Sequence, residues 1–256
     1  MSGLVDHLIA QLLALEVRLM ACQARLVANT DNEALHDLRI AVRRLRSLLR
    51  PLHDVPGTQQ LELAAKDIGD LTTPLRDREV LAAYLKKLGM TDAAQRRGVT
   101  LGNDYRDVAG SDELARLFSV LEAFPRFLRA SQHQGLLHDL HKRIDKRLEK
   151  QWKKLDHGIN DPAHDRHRLR LLIKRVRYAD EAYPEFSHHA GKKAQVSLKA
   201  AQGALGDWHD HLQWLVQAQE QPDLAPCKPR WEQGIVRAEL EADQALERLA
   251  KTCFTH

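Results

Sequence analysis

Two cationic runs of the same spelling carry the chemistry of this chain. His36-x-x-Arg39-x-x-x-Arg43-Arg44-x-Arg46 returns 131 positions later as His167-x-x-Arg170-x-x-x-Lys174-Arg175-x-Arg177, with Leu38 and Leu169 in the same slot. Six of eleven positions match in type and order, which marks an internal duplication. Arginine presents a planar fork of donors that fits phosphate oxygens, so a predominance of arginine over lysine favours phosphate recognition over diffuse attraction. A protonated imidazole adds two donors, and a neighbouring polyanion would favour that form of His36 and His167. These residues alone leave a second reading of the histidines open, in which they only order the starts of their helices.

A helix positions such residues at about 100° each, so His36, Arg39, Arg43, Arg46 and Arg50 fall within about 80° of one another. Beside this stripe lies an apolar seam of Leu35, Leu38, Val42, Leu45 and Leu49. The second copy sets His167, Arg170, Lys174 and Arg177 beside Leu169, Leu172, Ile173 and Val176. Asp37 is the one acid between His36 and Arg50, and none stands between Arg166 and Arg177. Like charges at i, i+3 and i+4 cost a helix roughly 0.2–0.5 kcal/mol per pair, so a duplicated, uncompensated stripe implies a compensating polyanion. From position 36 to 46 the stripe runs about 15 Å at 1.5 Å per residue, a linear array suited to a linear anion.

The duplication extends further. Lys66 stands eleven positions before Asp77 and Lys199 eleven before Asp210, and Arg76-Asp77-Arg78 answers His209-Asp210-His211. Each half therefore reads as a leading helix, a basic helix, a short lysine-bearing helix and a closing helix. The first basic helix is expected to start at Thr30-Asp31-Asn32-Glu33 and to stop near Pro51, and its twin to begin around Asp161-Pro162. The glycine-bearing segment 98–111 is the expected boundary, giving one domain over 1–256 with a first repeat of about 1–100 and a second of about 111–256. Segment 112–155 reads as two helices, the second from about Leu136, and a last helix as 231–253.

Aromatics are 5% of the 256 residues, and Leu, Ala, Arg, Glu and Gln dominate, so the fold class is all-α. The 39 basic and 35 acidic residues give a net charge of +4, modest for a general nucleic-acid coat. Positive charge must then be concentrated on a few helices. Base-stacking aromatics are absent from the basic runs apart from Tyr178, which weighs against single-strand readout. No run of about eighteen uncharged apolar residues predicts a membrane span. Three scattered cysteines and the lack of a signal-like N-terminus predict a reducing, cytoplasmic setting.

On the paired runs 36–46 and 167–178 and the Gly69 to Asp77 region, the chain resembles the CHAD family, the conserved-histidine α-helical domain, over essentially its whole length. The resemblance implies two four-helix bundles related by internal pseudo-twofold symmetry and packed around a basic central cavity. It implies non-catalytic binding of inorganic polyphosphate, no cofactor, and association with polyphosphate granules. Carried over onto this sequence, the contacts would be His36, Arg39, Arg43, Arg44 and Arg46, answered by His167, Arg170, Lys174, Arg175 and Arg177. Lys66 and Lys199 would join them from the neighbouring helices. Arg50 extends the first stripe, and Arg76 is matched by His209 in the second half.

Other features point elsewhere with less force. Fourteen histidines raise a metal hypothesis at His188-His189, His209-x-His211 and His138-x-x-His141, but none has the glutamate or cysteine pair of a zinc site, and no metal is expected. Asp77 and Asp210 read as helix caps or as anchors for a basic side chain. Lys142, Arg143, Lys146, Arg147, Lys150, Lys153 and Lys154 are interleaved with Asp145 and Glu149 and read as a solvated face that widens an electrostatic funnel. Sequence-independent nucleic-acid binding is the alternative function. A phosphoanhydride hydrolase finds no residues to carry it.

Overall fold

The computed structural model describes residues 2–186 and 191–254. Among these residues the regular elements are helices alone. In chain order they are α1 (Ser2–Ala28), α2 (Ala34–Leu49), α3 (Thr58–Lys87), α4 (Thr91–Gly98), α5 (Leu101–Ala109), α6 (Asp112–His133), α7 (Leu140–Ile159), α8 (Arg166–Ala182), α9 (Lys192–Glu220) and α10 (Lys228–Cys253). None of the described helices is long and apolar enough to cross a membrane.

The chain folds as two compact units, Met1–Ile144 and Asp145–His256. In the first, α1 packs on α2, α2 on α3, α3 on α6 and α6 back on α1, a closed cycle of four long helices. Leu8, Leu12, Leu19 and Leu26 of α1 and Leu35, Leu38, Val42, Leu45 and Leu49 of α2 fill its interior, as their spacing requires. In the second unit one core draws Trp152 and Leu155 from α7, Leu169, Ile173 and Val176 from α8, Leu198 and Leu205 from α9, and Ala242 and Leu249 from α10. Gly234 is where α10 meets α9: a Cβ there would stand 2.6 Å from the His211 ring.

Three sequence expectations change. The lysine-bearing and closing helices are one: Lys66 and Asp77 share the 30-residue α3, and Lys199 and Asp210 share the 29-residue α9. Pro74 inside α3 withholds one N–H, yet the Thr72 and Thr73 hydroxyls donate to Ile68 O and Gly69 O at 2.7 Å and the helix continues. Second, most of the glycine-bearing segment 98–111 is the helix α5, which buries Tyr105, Val108 and Ala109 in the first unit, and α6 also belongs there, so the units divide within α7. Third, α8 starts at Arg166 and not at Pro162, because the Asp165 side chain accepts the His167 N–H at 2.9 Å and caps it. Asp77 and Asp210 lie inside long helices and so are not caps; Asp77 acts instead on the charge of Arg39.

Candidate functional site

The seam on α2 turns toward the core and carries the cationic stripe to the α3 side. Arg39 Nη1 donates to Thr72 Oγ1 at 2.7 Å, to Gly69 O at 3.1 Å and to Thr73 Oγ1 at 3.2 Å. These neutral acceptors fix the guanidinium without neutralising it. Arg46 lies against the same turn, its Nη1 3.5 Å from where a Cβ of Gly69 would stand. Burial, opposed by Asp77 and reinforced by Arg43 and Arg76, lowers the proton affinity of Arg39. Burial and then Arg76 likewise hold the His36 imidazole below its ordinary value. His36, Arg39, Arg43 and Arg76 thus form one electrostatic cluster across α2 and α3.

Arg76 is built in from below. Its Nη1 pairs with Glu79 Oε2 at 2.9 Å, and the Tyr105 hydroxyl of α5 donates to the other oxygen of Glu79. Burial, followed by that hydrogen bond, raises the Tyr105 phenol well above its usual value. Lys66 is exposed and pairs with Asp70 at 2.7 Å, close enough to Arg46 to feel its charge. Arg50 stands outside α2, in a 3-10 turn, with Glu62 3.9 Å away. Asp37, the acid on the stripe's helix, is also held by Arg25 Nη1 at 2.7 Å, so its compensation of the stripe is shared.

The second unit repeats the pairing with different partners. His167 on α8 and His209 on α9 have ring centroids 5.5 Å apart, the place taken in the first unit by His36 and Arg76. His209 is pushed down to about 4 by burial, then by Arg170, His167 and Lys174. Four nitrogenous groups therefore crowd one spot, and His209 is neutral at physiological pH. Of the two imidazoles expected to be protonated, His36 is opposed in that by burial and then Arg76. Arg177 pairs with Glu181 at 3.0 Å and lies over the Tyr178 ring at 4.6 Å. Lys199 is exposed on α9.

Two expected contacts are not brought to these clusters. Arg44 and Arg175 sit about 120° round their helices from the stripes, and both are exposed. Arg175 instead lines a groove toward α7. Conversely, Thr72, Thr73, Glu79 and Tyr105 support the site and carry no signal in the sequence, since their roles exist only when α3 and α5 lie where they do.

Among the described residues no group of three His, Cys, Asp or Glu side chains is placed to hold a metal ion. His138 contacts Gly135 O and Asp139, and His211 contacts Asp207 O at 2.7 Å. His188-His189 lies outside the described residues.

Comparison with known proteins gives a fold and a family. The crystal structure of the CHAD domain from the plant Ricinus communis matches with a TM-score of 0.69 at 22% identity, over 98% of this chain and 92% of that chain. No curated protein matches. The CHAD domain model matches residues 11–219, four-fifths of the sequence and both cationic helices, and the chain belongs to the CHAD domain family.

Proposed function

We propose that this protein binds inorganic polyphosphate, without catalysis, through the cationic faces of α2 with α3 and of α8 with α9. One observation carries the reading: in each unit a basic helix and its neighbour gather cationic side chains around an imidazole that burial first, and then those charges, depress, His36 beside Arg76 and Arg43 in one and His209 beside Arg170 and Lys174 in the other. Such crowding costs free energy in the empty protein, and a polyanion laid along the stripe removes that cost. The acceptors that hold Arg39 are neutral, so its charge stays available for phosphate oxygens. The CHAD resemblance supplies the identity of the anion as inorganic polyphosphate and implies residence in the cytoplasm at polyphosphate granules.

Competition tests this reading against nucleic acid. Long polyphosphate is expected to displace duplex DNA at moderate salt and to bind with a steep salt dependence, because each neutralised phosphate releases counterions. Retention of DNA with indifference to polyphosphate overturns it. Incubation of polyphosphate with Mg²⁺ is expected to release no phosphate.

A further inference from the structure

On the face of α8 turned away from the stripe, the second unit holds another cationic site of different design. Lys150, Lys153, Lys154 and His157 recur on α7 at i, i+3, i+4 and i+7, which puts them on one face. Arg168, Leu171, Leu172 and Arg175 repeat that spacing on α8. The two faces meet along a groove of about 440 Å³, with six basic side chains at its edges and two leucines between them. At Gly158 a Cβ would stand 3.1 Å from Leu172 Cδ1, so the missing side chain lets α7 lie against α8 beside the groove.

The charge in this groove is largely unspent. Lys153 pairs with Glu149 at 2.6 Å, whereas Lys150, Lys154, Arg168 and Arg175 form no ion pair with any described residue. No carboxylate lines the groove. The solvated-face reading of this lysine run accounts for Lys153, but not for four cations gathered around a common hollow.

Its shape selects a ligand unlike the one proposed for the stripes. Seven residues of helix give each rim a length of about 10 Å, room for a few phosphates and not for a long chain. Leu171, 38% exposed, offers an apolar surface that a bare phosphate chain cannot use. The volume lies within the range of small-molecule sites. We infer that this groove binds a compact oligophosphate bearing an apolar body, of which a nucleoside triphosphate is the simplest, with Arg168 and Arg175 facing the phosphates across from Lys150 and Lys154 and the nucleoside over Leu171. The inference is independent of what occupies the stripes.

Calorimetric titration of the full chain with ATP and with tripolyphosphate, each with and without Mg²⁺, tests it. ATP is expected to bind at least about threefold more tightly than tripolyphosphate, the difference disappearing in Leu171→Asp. Lys150→Glu/Lys154→Glu and Arg168→Glu/Arg175→Glu should each weaken ATP about tenfold or more, while Arg170→Glu/Lys174→Glu on the other face leaves it within about twofold. The substituted groove residues are all surface positions, and an unchanged helical melting curve verifies folding of each variant. Equal affinity for ATP and tripolyphosphate, or loss of ATP binding only in the stripe variant, overturns the proposal. Failure of ATP to bind while long polyphosphate still binds rejects this groove and leaves the polyphosphate reading standing; the reverse result rejects only the latter.

Discussion

The α2–α3 pair of the first unit and the α8–α9 pair of the second keep the same cationic positions but secure them differently. In the first, Arg39 is bonded to Thr72, Thr73 and Gly69, and Arg76 is pinned by Glu79 under Tyr105. At the corresponding positions, 133 residues on, α9 carries Gln202, Leu205 and Gly206 in place of Gly69, Thr72 and Thr73, and Leu212 in place of Glu79. His209 replaces Arg76 and has lost its proton above pH about 4. The two pairs present charge at matching sequence positions and differ in how it is held. At the position of Arg76 one pair carries an arginine held by an ion pair, and the other a histidine that answers to pH. Asp180, buried in the second unit and pushed up to about 6 chiefly by burial, makes the same unit titratable from within.

Charge reversal should break the comparison most visibly. Arg39→Glu/Arg43→Glu and Arg170→Glu/Lys174→Glu are each expected to weaken long polyphosphate about a hundredfold, since each reversal removes a charge-assisted contact worth roughly 1.5–3 kcal/mol. Loss confined to one variant would show that a single unit carries binding.

Asp180 comes next. Its folded value of about 6 lies above the ordinary 3.8, so its contribution to stability is fully present below pH 3.8 and is lost as pH rises through 6. Asp180→Asn is therefore expected to raise stability at pH 7.5 by up to about 3 kcal/mol, read by urea unfolding. His209 has the opposite sign: depressed from 6.5 to about 4, it contributes stability above pH 6.5 that is lost as pH falls toward 4. The Asn variant should then expose a stability that rises with pH between 4 and 6.5.

A smaller effect concerns the hydroxyls peculiar to α3. Thr72→Val keeps the shape of a fully buried residue but removes an acceptor from Arg39, and is expected to cost about 1–2 kcal/mol of stability with weaker polyphosphate binding. The smallest expected change is a gain. His209→Arg makes the second pair resemble the first, and should strengthen polyphosphate binding about tenfold at pH 7.5 while removing a pH dependence. In the wild type, an anion that stabilises the protonated imidazole draws in a proton, so affinity rises as pH falls toward 4.

What was legible in the sequence followed from periodicity. The α2 seam and stripe came from spacing alone, because a 3.6-residue repeat fixes which side chains share a face. The extent of α3 was not legible, since Pro74 and Gly69 are helix breakers on local grounds and only the Thr72, Thr73 and Arg39 hydrogen bonds show how the helix is supported there. Pro162 misled in the same way, because Asp165 and not the proline starts α8. The helix wheel placed Arg44 and Arg175 off the stripes, and the motif nonetheless drew them in. Glu79 and Tyr105 are 26 residues apart and became partners only through packing of α5 on α3.

Titration of length-defined polyphosphate at several salt concentrations, on the wild type and on the two paired charge-reversal variants, bears most directly on the claim that both basic helices carry binding. Affinity is expected to climb with chain length and fall steeply with salt in the wild type, and both variants should show a shallower salt slope because each neutralises fewer phosphates. A wild-type affinity indifferent to salt, or a slope unchanged in both variants, would contradict it.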